Sequence, residues 1–251
     1  MRRIITLLTD FGTADGYVAE MKGVLASGAP EATLLDLSHD VPSQDVDAAR
    51  LVIARCWRRF PERTVHLVVV DPGVGSDRAA LVVESDGRLL VGPDNGVLSP
   101  ALLMPGARVT ALPIPSGASA TFHGRDVFAP AAARLAVGAS PEELGAPFAE
   151  PIVRRTPVAR RLADGATEGE VLTIDRFGNV ITNLVAPRGG FVEAAGRVLA
   201  IRRSYADVPS GELTAVVGST GFVEIALRDG DAASVLRLER GMPVILRLAH
   251  A

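Results

Sequence analysis

Apolar positions along the chain fall into two textures. In the first 75 residues, short unbroken apolar runs alternate with runs at helical spacing. Residues 4–9, 33–37 and 65–70 are short runs rich in Leu, Ile and Val, the pattern of strands buried on both faces. Between them, 17–27 places Tyr17, Val18, Met21, Val24 and Leu25 on one helical stripe, and 46–60 does the same with Val46, Ala49, Ile53 and Trp57. This β-α-β-α-β order predicts a largely parallel sheet with helices on its faces. Further on, residues 80–85 and 88–92 flank Asp86-Gly87, a hairpin signal. Residues 93–96 form a turn cluster, 109–113 a strand, and 127–137 a helix with Phe128, Ala131, Ala132 and Leu135 inward.

The texture changes near residue 140. Pro141, Pro147, Pro151 and Pro157 recur among the arginine pairs Arg154-Arg155 and Arg160-Arg161, which reads as a linker. Beyond it come short strand patterns at 169–175, 180–185, 197–201, 215–218, 222–227 and 243–248, without a convincing long helix. The expectation is an α/β domain over 1–150, a linker over 151–166, and an antiparallel β-barrel over 167–251.

Composition narrows the function. At 251 residues the chain is long enough to bury a core without a staple. Its 26 basic and 29 acidic residues leave a net charge of −3, and no basic run suggests nucleic acid as a partner. The one cysteine, Cys56, excludes an intramolecular disulfide and any cysteine-built zinc or iron–sulfur cluster. It lies in a helical pattern and reads as a small buried hydrophobe. The N-terminal apolar run meets Asp10 too soon for a secretion signal, and no stretch approaches the length of a membrane span, so a cytoplasmic protein is expected.

Candidate chemistry gathers at strand ends. Asp10, Asp36 and Asp71 each lie at or near the end of a predicted parallel strand, where ligands bind in open α/β sheets. Asp is also a good loop and cap residue, so each alone is ambiguous. In VVVDPGVGSDR, Pro72 and Gly73 force a turn and Arg78 returns within reach of Asp71, either as a structural clip or as a reactive pair. The segment is neither a Walker A loop nor a dinucleotide fingerprint. His123 opens a predicted helix, where a neutral imidazole is favoured and can relay a proton. His39, His66 and the tail residue His250 are weaker candidates. In the second half, DRFGNVITN and GSTGFVEIALRDGDAAS set Phe177 and Phe222 near polar side chains, either to stack a planar ligand or as ordinary barrel turns.

Taken in order, TDFGTADGYVAEMKG, DLSHDVPSQDV, VVDPGVGSDR, VGPDNGVL, FHGRDVFAPAAA, DRFGNVITN and GFVEIA resemble the S-adenosyl-L-methionine hydroxide adenosyltransferase family. These are adenosine-forming S-adenosylmethionine hydrolases, within a wider family that includes fluorinase and chlorinase. The resemblance implies an α/β domain followed by a β-barrel, in a homotrimer that binds S-adenosyl-L-methionine between the first domain of one subunit and the second domain of the next. It implies a water-handling trio of Asp71, Arg78 and His123, with Asp10 on the ribose diol, Asp175 on the methionine amino group and Asn179 on adenine. Phe177, Ser219, Phe222 and Glu224 fall in matching binding segments. Thr220 departs from the arginine that tends to follow the serine in the halogenases. No cofactor, metal, nucleic acid or membrane partner is implied.

The implied reaction is attack of water on C5′ of the sulfonium, releasing adenosine and methionine. A neutral thioether leaves, so no general acid is required. Asp71 can accept the proton of water while Arg78 and His123 orient it, help worth about 10²–10⁴-fold. Three alternatives stand beside this reading: a halide nucleophile, a non-catalytic sensor of S-adenosylmethionine or adenosine, and a metal-dependent hydrolase. The last would use Asp10, Asp36, His39, Asp71 and His123, although no HExxH pair is present.

Overall fold

The structure, a computed structural model, describes residues 3–186 and 189–248. Contacts divide the chain into two compact units, Met1–Arg155 and Thr156–Ala251.

The first unit opens with β1 (Ile4–Thr9), α1 (Tyr17–Gly28), β2 (Thr33–Ser38), α2 (Val46–Cys56) and β3 (Val65–Val69), the alternation read from the apolar pattern. It continues through β4 (Ala80–Ser85), β5 (Arg88–Pro93), α3 (Ser99–Leu102), β6 (Arg108–Leu112), α4 (Ala129–Val137) and β7 (Ala146–Pro147). The sheet has seven strands in the order β2-β1-β3-β5-β4-β6-β7. Its β2, β1, β3 and β5 neighbours are parallel, and β4, β6 and β7 extend it antiparallel.

Side-chain alternation explains the unbroken apolar runs. Ile5, Leu7, Leu67 and Val69 enter one core with Met21, Leu25, Ala132 and Leu135. Leu8, Val68 and Val70 enter the other with Val46, Ala49, Ile53 and Trp57. Both faces are buried, so both parities must be apolar. The β4–β5 hairpin turns through Asp86 and Gly87 at φ of 46° and 70°, as its Asp-Gly signal requires.

Three details differ from the sequence reading. The second helix stops at Cys56 and tightens into a 3₁₀ turn over Trp57–Arg59, and Cys56 is half-buried rather than buried. The fourth helix starts at Ala129, after a single π turn over Gly124–Phe128. Pro130 has no N–H, so it suits the first turn of a helix and not its interior. The short α3 carries too few turns to leave a periodic signal.

The second unit holds β8 (Arg160–Arg161), β9 (Thr167–Ile174), β10 (Val180–Val185), β11 (Phe191–Ala194), β12 (Arg197–Arg202), β13 (Leu213–Val217), β14 (Phe222–Leu227), α5 (Ala232–Leu236) and β15 (Pro243–Arg247). Strand order is β10-β14-β13-β12-β11-β15-β9-β8, and a β9–β10 pairing closes the barrel around Val171, Val180, Val192, Ile225 and Val244. Strand β8 lies inside the stretch read as linker. The barrel is mixed rather than wholly antiparallel, because β12 and β13 pair in parallel. Residues 203–212 carry the chain between them through the turn Tyr205–Asp207, where a hairpin would have reversed it. Among the described residues, no helix is long and apolar enough to cross a membrane. His250 lies outside the described residues.

Candidate active site

Strand β3 delivers the chain through buried Val70 to Asp71 at its carboxyl end. The following turn brings Arg78 back. Its Nε donates to Asp71 Oδ1 at 2.9 Å and its Nη2 to Asp71 Oδ2, a two-pronged ion pair. The same Nη2 lies 2.7 Å from Nδ1 of His123, which precedes the π turn. Side-chain exposure is 5% for Asp71 and 8% for Arg78, so the pair is largely withdrawn from bulk water. Phe128 closes one side, with its ring centroid 5.3 Å from Arg78 Cζ.

Chemistry settles the state of the imidazole. A guanidinium has only donors, so Nδ1 of His123 must accept, and its proton sits on Nε2. Burial and then the Arg78 charge push His123 below its ordinary pKa, partly offset by Asp71 and Asp126. A neutral imidazole with an Nε2–H can donate to an oxygen but cannot take a proton there, whereas the Asp71 carboxylate is able to accept one.

Gly75 makes the trio possible. At φ 79°, a Cβ there would stand 2.4 Å from the Ala120 carbonyl oxygen, so only glycine lets the 71–78 turn approach the segment that carries His123.

The other strand-end acids are engaged separately. Asp10 Oδ2 accepts from the Gln44 backbone N–H at 2.7 Å. Asp36 binds Lys22 at 2.6 Å, and His39 Nε2 lies 3.1 Å from its other oxygen without hydrogen-bond alignment. Burial pushes Asp36 up, but Lys22 and His39 outweigh it and hold the carboxyl below its usual range. His39 also bonds Thr9 Oγ1 through Nδ1 at 2.8 Å, beside Asp10. Among the described residues, no three His, Cys, Asp or Glu side chains are grouped to hold a metal, so the five residues of the metal reading do not form a cluster.

Sequence reasoning missed an aromatic wall. Phe11, Tyr17 and Phe122 pack with ring centroids 5.4–5.9 Å apart, and Phe11 follows Asp10 in sequence while Phe122 precedes His123. The available signal was adjacency: Phe11 and Phe122 each flank a candidate polar residue. Buried Asp94, from the 93–96 turn, is raised by burial, although the Ile152 N–H and Arg78 oppose the shift.

In the second unit, Asp175 organises its own turn. Its Oδ1 accepts from the N–H groups of Phe177 and Asn179 at 2.8 and 2.9 Å, and Oδ2 accepts from Asn179 Nδ2 at 3.0 Å. That turn pushes Phe177 outward to 74% exposure, a flat apolar face in water. Glu224 is buried on β14 and accepts from Tyr205 Oη at 2.7 Å. Tyr205 was missed because it lies outside any strand pattern. Ser219 is exposed in the tight turn before β14, and Phe222 is half-buried at the strand's start.

An α/β unit with a buried Asp–Arg–His constellation at a parallel strand end, followed by a small mixed β-barrel, is the architecture defined here. Residues 5–145 match the SAM hydroxide adenosyltransferase N-terminal domain, and residues 169–245 match the C-terminal domain of that name. The chain belongs to the SAM hydroxide adenosyltransferase family. It is 47% identical to an (R)-S-adenosyl-L-methionine hydrolase of Thermus thermophilus, over 97% of this chain and 99% of that protein. A crystal structure of an uncharacterized conserved protein from Thermotoga maritima superposes with a TM-score of 0.88 at 33% identity, covering 96% of this chain and 99% of that one. A fluorinase of Actinopolyspora mzabensis is more distant, at 27% identity over 97% of this chain and 96% of its own.

Proposed function

We propose that the protein hydrolyses S-adenosyl-L-methionine to adenosine and L-methionine by attack of water at C5′. The observation that carries this reading is the buried Asp71–Arg78–His123 constellation in a chain 47% identical to an (R)-S-adenosyl-L-methionine hydrolase. Asp71 takes a proton from the water. The Nε2–H of His123 and the guanidinium of Arg78 hold its oxygen and the negative charge that develops on it. The sulfonium and the incipient hydroxide neutralise each other along the path, and methionine leaves as a neutral thioether.

In this reading Asp10 binds the ribose diol, Asp175 the methionine amino group and Asn179 the adenine, with Phe177, Ser219, Phe222 and Glu224 lining the remainder. These residues are split between the two units. The enzyme works as a homotrimer, each site combining the first unit of one subunit with the second unit of its neighbour.

Water is favoured over halide by the Asp71 carboxylate. The carboxylate can take a proton from water and gives a halide no such help, while its repulsion of an anion, about 4 kcal/mol at about 4 Å and an effective dielectric near 20, is reduced by the paired Arg78. The relatives' name specifies the R configuration at sulfur, so both sulfonium epimers belong in the assay. Incubation in oxygen-18 water with excess chloride or fluoride is expected to give adenosine labelled at the 5′ oxygen. A 5′-halo-5′-deoxyadenosine as main product overturns the water reading, and no nucleoside product from either epimer favours the sensor.

A further inference from the structure

The Asp71–Arg78 pair is held at both flanks by a third segment. Asn95 Nδ2 donates to the Val70 carbonyl, directly before Asp71, at 2.9 Å. The Asp94 backbone N–H donates to the Ala79 carbonyl, directly after Arg78, also at 2.9 Å. The segment is itself tied down, because Ile152 N–H donates to Asp94 Oδ1 at 2.8 Å, and Ser99 Oγ, which donates to the Gly96 carbonyl, accepts from Arg154 N–H at 2.8 Å.

Asn95 does two separable things. Its Oδ1 accepts from the Val97 N–H at 3.1 Å, the local bond an Asn makes in a turn of this kind. Its Nδ2 reaches a strand end 25 residues away in sequence, which the turn itself does not need. A peptide carbonyl fixed one residue before Asp71 sets the direction in which that carboxylate leaves the strand, and so its alignment with both prongs of Arg78.

We infer that residues 93–96 clamp the catalytic ion pair, with Asn95 as a positioning residue acting through the Val70–Asp71 peptide. The inference rests on the hydrolase reading for its effect on turnover, though not for the geometry itself. Positioning matters steeply, since a shift of about 1 Å can cost about 100-fold in rate.

The test uses Asn95→Ser and Asn95→Asp in the full chain. Ser and Asp both keep an acceptor for the Val97 N–H, and neither carries the amide donor that Asn95 directs at Val70. Ser does so without adding charge. Adenosine release is expected to show kcat lowered about 10- to 100-fold with KM unchanged. The Nε–H resonance of Arg78, identified by its loss in Arg78→Lys, is expected to move in both variants. Wild-type kcat with an unmoved Nε–H resonance overturns the clamp. So does a loss of activity that only tracks the fraction of folded protein. If the wild-type chain releases no adenosine, the hydrolase reading fails, and the Nε–H comparison alone decides whether Asn95 positions the pair.

Discussion

Single residues show how burial overrides apparent chemistry. His66, a weak candidate from its place inside a strand pattern, is fully buried in β3 with Nδ1 bonded to Thr6 Oγ1 at 2.7 Å. Burial and the nearby Arg88 charge push its pKa down to about 4. The unfolded chain binds a proton at His66 below an ordinary value near 6.5, whereas the folded chain does so only near 4. The contribution of His66 to stability is therefore full well above pH 6.5 and is lost as pH drops toward 4, by about 3 kcal/mol. Denaturant midpoints between pH 7 and 4 should fall accordingly, and His66→Asn should flatten the dependence. A wild-type midpoint independent of pH refutes the assignment. His123 is depressed by the same causes, yet it faces Arg78 and keeps an Nε2–H for use.

Elements position the chemistry through a few backbone contacts. The alternation of strand and helix was legible because β1 and β3 send both side-chain parities into cores, so their apolar runs are unbroken. The π turn after His123 and the parallel β12–β13 pair were not legible, because neither leaves a period in the sequence. The 71–78 turn depends on one glycine. Gly75→Ala adds a Cβ that overlaps the Ala120 carbonyl in a left-handed conformation. A loss of about 1–3 kcal/mol is expected, measured as a lower thermal or denaturant midpoint. Adenosine release per folded molecule should drop with it, since the overlap pushes the turn away from His123. An alanine variant with wild-type stability and rate would show that the close approach is dispensable.

At the scale of the whole molecule, the proposed chemistry is divided between units that each have their own core. Asp10, Asp71 and His123 belong to the first, and Asp175 and Asn179 to the second. For the proposed homotrimer, an Asp71→Asn chain has an impaired first unit and an Asn179→Ala chain an impaired second. Each variant alone should be nearly inactive. Co-refolded, they should regain part of the activity, because some interfaces then join two intact units. Light scattering that finds a fully active monomer refutes the assembly.

The sequence alone determined the β-α-β-α-β order of the first 75 residues, the two-part division of texture, and Asp71, Arg78 and His123 as candidates. Those features are local: periodicity follows from burial on one or both faces, and a turn of eight residues can bring Asp71 and Arg78 together by itself. Tertiary structure decided what depends on residues far apart in the chain. The tautomer of His123 follows from an arginine 45 positions away, and the hold on Asp71 from an asparagine beyond the β4–β5 hairpin. It also engaged Asp36 with Lys22 and His39 with Thr9 rather than with the Asp71–Arg78 pair. Hydrogen bonds between distant segments leave no period and no spacing, so only the folded chain reveals which strand-end polar groups act together.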